Sequence, residues 1–143
     1  MRVRYAFGIA VAAALLVPAA TAVQAQAPAT VLKKSAPPTR GVADVDFIQA
    51  VKLEGNIVVT TFQIRNKTPG AIAGFTISEF WYDKAGNALQ GTGDRQRVRT
   101  PIQPGEIVTV TLRSPKVPGM ANPQYKFEHA NGTIKPTKVK SMK

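Results

Sequence analysis

The chain has 143 residues, with 19 Lys and Arg against 8 Asp and Glu, a formal net charge of +11 at pH 7. It contains no cysteine and a single histidine. That excludes disulfide stapling and leaves no donor set for a Cys- or His-based metal centre.

Residues 1–25 have the three-part layout of a secretory signal peptide. Arg2 and Arg4 give a short basic start, Ala6 to Val17 is uncharged and apolar, and small residues close the segment at Ala25. The apolar run falls short of the ~20 residues that a membrane span needs. Cleavage after Ala25 is therefore expected, with no membrane span and a periplasmic or extracellular location. The remainder is long enough for one domain around one core, and it stays strongly basic without the two leader arginines. Residues 26–41 lack any sustained period and hold Pro28, Pro37 and Pro38, which favour extended, unpaired backbone. This stretch is expected to be a disordered spacer.

From Val42 the texture changes to short β-branched and aromatic runs separated by Gly, Pro and Asn, the pattern of strands and turns. Val45, Phe47, Val51 and Leu53 form one alternating row, Glu54-Gly55-Asn56 a tight turn, and Ile57 to Arg65 a second strand with Val58, Phe62 and Ile64 on one face. Ile72 to Tyr82 reads as a third strand, turned by Asp83 to Asn87 into Ala88–Thr92. Asp94 to Thr100 reads as a basic strand. Ile107 to Leu112 is the clearest strand, with Val108, Val110 and Leu112 inward. Gln124–His129 and Thr133–Lys135 flank Asn131-Gly132, a strong hairpin signal. The lysine-rich tail, 136–143, is expected to fray. No segment has a helical period. Seven or eight short strands over 42–135 predict an all-β domain of two packed antiparallel sheets, with a small closed barrel as the competing shape.

Three stretches resemble the FxLYD and related immunoglobulin-like domains of exported bacterial proteins. They are Thr61 to Thr68, Phe80-Trp-Tyr-Asp-Lys-Ala-Gly-Asn87, and Pro104-Gly-Glu106 before an alternating strand. Glu79 and Trp81 stand where the eponymous pattern would have Phe and Leu. The resemblance implies an immunoglobulin-like antiparallel β-sandwich and brings no catalytic residues with it.

The search for chemistry yields little. His129 precedes a turn and is expected to be exposed. Asp44 and Asp46 are the one close carboxylate pair, and Ser35, Ser78, Ser114 and Ser141 lack a nucleophile motif. No phosphate loop opens a helix. Catalytic, cofactor and metal residues are therefore expected to be none. Asn66 and Asn131 match the glycosylation pattern but have turn duties, as does Asp83. Trp81 and Tyr82 face opposite sides of one strand, so only one can enter the core. What remains is charge: Arg95, Arg97 and Arg99 alternate on one strand face, and Arg113 adds to the field. An exported, non-catalytic interaction domain is expected, binding another envelope protein or an anionic envelope polymer. Nucleic acid or another polyanion is the alternative, opposed by export and by the lack of aromatics among the arginines.

Overall fold

The computed structural model describes residues 34–143; the leader and the first part of the proline-rich segment lie outside the described residues. Among the described residues there are seven strands and no helix. They are β1 (Gly41–Glu54), β2 (Ile57–Asn66), β3 (Thr76–Tyr82), β4 (Arg95–Arg97), β5 (Ile107–Pro115), β6 (Asn122–His129) and β7 (Gly132–Lys138).

All seven belong to one hydrogen-bonded sheet, in the order β4-β3-β6-β7-β1-β2-β5. The expected pair of separate antiparallel sheets is corrected in two respects. First, β7 links β6 to β1, so the two halves are one surface folded round a common interior. Second, β1 and β7 run parallel, with Gly41 opposite Gly132 and Phe47 opposite Lys138. The sheet bends until its edge strands β4 and β5 come together, giving a nearly closed barrel.

The interior follows from alternation. In β1 and β2 the pairs Val45↔Asn66, Phe47↔Ile64 and Gln49↔Phe62 face inward. Val108, Val110 and Leu112 join them from β5, and Ile77 and Phe127 from β3 and β6. Phe62 is at the centre. Its ring meets Tyr125 edge-on at 5.0 Å and Phe127 edge-on at 5.7 Å, while Phe47 lies 5.9 Å away. Such edge-to-face pairs add about 0.5–1.5 kcal/mol each beyond their area. Trp81 is buried and Tyr82 half-buried, which settles which of the two enters the barrel.

The β1–β2 hairpin forms as the sequence predicts. Gly55 has φ +58° and Asn56 does not go positive, the signature of a type II′ turn. Elsewhere the local pattern misleads. The β6–β7 turn uses Ala130 and Asn131, with His129 paired to Gly132. Gly132 is needed for close approach: a Cβ there would lie 1.9 Å from the Gly41 carbonyl oxygen. The third strand begins at Thr76, because Ile72 instead bridges Ile102. Ala88 makes a single bridge to Tyr82 and no strand follows it.

The described part of the N-terminal flank and the C-terminal tail are both docked. Thr39 N–H donates to Ala71 O at 2.7 Å and Ala71 N–H donates to Pro37 O at 2.8 Å. Ala36 N–H donates to the Gln103 side chain at 2.9 Å. At the other end β7 runs through Pro136, and Val139 N–H donates to Phe47 O at 2.9 Å. Beyond Thr133 the strand has no partner on its β6 side, so a proline leaves no ladder bond empty there.

Candidate functional site

The arginines group around the seam where the barrel closes. No backbone ladder joins β4 to β5. Instead Asp94 Oδ2 accepts the Arg113 N–H at 2.8 Å, and Ser114 Oγ accepts the Gly93 N–H at 2.7 Å. On β4, Arg95 lies opposite Ser78 and Arg97 opposite Thr76. These are the outward positions of β3, because Ile77 between them enters the core. Lys126 and Glu128 occupy the same outward row on the far side of β3. Thr76 and Ser78 are buried although they face outward, as expected when long charged stems flank small residues on both sides.

The structure sets Arg99 and Arg113 apart from the pair on β4. β4 ends at Arg97, and the Val98 N–H still donates to Phe75 O at 2.8 Å in the same register. Arg99 lies beyond the strand, in a bend, and is exposed. Arg113 is on β5 and is engaged, its guanidinium 2.9 Å from Glu54 Oε2 while Lys52 holds Oε1 at 2.5 Å. The Lys52 and Arg113 hydrogen bonds hold the Glu54 carboxyl below its ordinary range. Lys126, and the nearby charge of Arg95, do the same to Glu128.

The acids of the outer surface are mostly occupied. Lys67 pairs with Asp46 at 3.3 Å and Lys126 with Glu128 at 2.8 Å. Asp83 accepts the Asn87 amide and side chain within its turn, which also lowers its carboxyl pKa. Glu106 Oε2 accepts the Gln103 N–H. Arg95, Arg97 and Arg99 are in no ion pair among the described residues and are exposed.

A second polar group lies inside the barrel, and alternation alone did not single it out. Glu79 is buried, its Oε2 accepting the Thr60 hydroxyl at 2.9 Å and its Oε1 the Trp81 indole N–H at 2.8 Å. Gln49 donates to the Tyr125 hydroxyl at 3.0 Å, and burial pushes the Tyr125 pKa up. The available signal was Glu79 itself, an acid at an inward position of a strand. Below this network the barrel opens into a cleft of about 290 Å³ lined by Val51, Lys52, Leu53, Val58, Trp81, Lys116 and Met120.

His129 is buried, correcting the expectation of exposure. Its Nδ1 accepts the Asn131 N–H, so Nε2 donates to Gly41 O at 2.8 Å; its role is to tie the β6–β7 turn to the start of β1. Asn66 is likewise structural. Its amide donates to Gly70 O and Ile102 O, and its oxygen accepts from Thr68. Among the described residues no three His, Cys, Asp or Glu side chains converge as a metal site, and no helix is long and apolar enough to cross a membrane.

No protein-family model matches the chain, and no curated protein does. Among solved structures the chain is similar to IrmA from Escherichia coli, with 15% identity and a TM-score of 0.47, covering 70% of this chain and 96% of that one.

Proposed function

We propose that the chain is an exported, non-catalytic interaction domain of the periplasm or extracellular medium. In this reading its arginine-bearing outer face binds an anionic partner, either another envelope protein or an anionic envelope polymer. One observation carries the proposal: Arg95 and Arg97 project together from β4 and Arg99 follows, all exposed and in no ion pair among the described residues, while the neighbouring acids are held by other groups. Residues two apart on a strand stand about 6–7 Å apart on one face. Each guanidinium can grip a carboxylate or phosphate with two hydrogen bonds. The leader-like residues 1–25 support export, and the resemblance of residues 57–112 to FxLYD-like domains brings no catalytic residues with it.

Charge reversal tests this reading. The triple variant Arg95→Glu, Arg97→Glu, Arg99→Glu keeps its fold by circular dichroism and loses retention on an anionic resin and on envelope polymer. Retention of the parent falls steeply as salt rises past the physiological range, because exposed attractions are screened over about 8–10 Å. Equal retention of variant and parent would sink the proposal. Sequencing the N-terminus of the exported form tests the location, with Gln26 the expected first residue.

A further inference from the structure

The arginine face leaves unexplained the opposite side of the barrel, where the sheet comes apart. β7 meets β6 at only two pairs, Glu128↔Thr133 and His129↔Gly132, and then follows β1 from Gly41 to Phe47. Past that point β1 continues to Glu54 with β2 as its one partner among the described residues. An unpaired strand edge with exposed apolar side chains is a template for another strand.

Register shows which backbone groups are free. A two-residue loop makes Glu54 and Ile57 the hydrogen-bonded closing pair. The alternate pairs Leu53↔Val58, Val51↔Thr60 and Gln49↔Phe62 then turn the N–H and C=O of Gln49, Val51 and Leu53 away from β2. Phe47 belongs to the same row, and its carbonyl already accepts Val139 N–H on that side. The three residues after it in the row continue the same ladder with no partner on it among the described residues.

Side chains match this edge. Val51 and Leu53 are 51% and 54% exposed although they occupy the inward row, and they form one wall of the cleft that reaches Trp81. Lys52 and Lys116 flank the cleft, and the Glu54 carboxylate is already held by Lys52 and Arg113. The local charge is therefore positive around an apolar hollow.

We infer that the Gln49–Leu53 edge of β1 receives an extended segment of a partner protein as an added strand. That segment places alternate apolar side chains in the Trp81 cleft and acidic side chains beside Lys52 and Lys116. Backbone bonds supply attachment in this mode, and the alternate side chains supply selectivity. The site is separate from the arginine face, so it stands or falls independently of it.

Trp81 is the chain's single tryptophan and reports the cleft directly. The probe is a synthetic peptide alternating valine and glutamate, as long as the Ile48–Glu54 edge, added to the full chain. Expected are a saturable change in Trp81 emission and slowed amide exchange at Val51 and Leu53, with exchange at Thr111 unchanged. Leu53→Pro removes an open-side N–H but no β2 ladder bond, and it should weaken binding about tenfold or more. An N-methylated peptide gives the same loss without altering the protein, so a folding defect in the proline variant does not blur the result. A lysine-for-glutamate peptide should bind at least tenfold more weakly. The inference is overturned by absence of saturation at ~1 mM peptide, by equal binding of the N-methylated or lysine peptides, or by binding without protection at Val51 and Leu53. It is also overturned if those amides are protected by self-association without peptide, which would make a second copy the occupant.

Discussion

The two halves of β1 carry the same apolar alternation and meet opposite fates. Ala43 and Val45 are 0% and 1% exposed, with β7 alongside both and β2 on the other side of Val45. Val51 and Leu53, on the same inward row, are more than half exposed because β7 has turned away. Alternation reports which way a side chain points. Whether that direction is covered depends on a third strand, and no pattern within β1 encodes it.

The largest test of this contrast lies at the centre. Phe62→Ala should lower stability by about 3–5 kcal/mol and Leu112→Ala by about 2–5 kcal/mol, measured by chemical denaturation. Next is Gly132→Ala, which drives a Cβ into the Gly41 carbonyl and should cost about 1–3 kcal/mol or more. Amide exchange should quicken from Ala43 to Phe47 and stay unchanged at Val51 and Leu53. If both halves respond alike, the division of β1 is wrong. Leu53→Ala should change stability by no more than about 0.5 kcal/mol, as for a surface position; a core-sized loss would show that the open half is covered. The smallest effect concerns Glu54. A carboxyl lowered in the folded state stabilises above its unfolded value, and that contribution disappears as pH falls through the folded one. Its NMR titration midpoint should lie below the reference 4.5 and rise in Arg113→Ala.

The parts of the fold legible in the sequence were local. The hairpin at Gly55, the inward rows of β2 and β5, and the turn at Asp83 each rest on neighbours in the chain. The parallel pairing of β1 with β7 was not legible, since its partners come from opposite ends of the domain and neither strand marks the other. The docking of Pro37 and Thr39 was hidden for a related reason. Prolines remove donors, yet one N–H and one C=O suffice to bridge Ala71. At the arginine face, the exposure of Arg95 and Arg97 followed from spacing. The end of β4 at Arg97 did not, because the basic alternation runs on unbroken to Arg99. The capture of Arg113 by Glu54 spans 59 positions, beyond any local motif. Glu79 was visible as an acid in an apolar row, but its partner Thr60 arrives from another strand.

The Gly41–Gly132 contact also sets an order of assembly. A chain emerging N-terminus first releases β1 and β2 early, and their two-residue turn lets them pair at once. β1 must then wait for nearly the whole domain before β7 arrives to cover its first half. Such distant pairings slow folding, because the loop must close before its contacts can repay it. Until then the entire free edge of β1 is open, and the final strand finishes only half of it. A helper that shields nascent strands would find its main target there, and shortening the C-terminal end before Gly132 should leave the protein soluble only while that target is held.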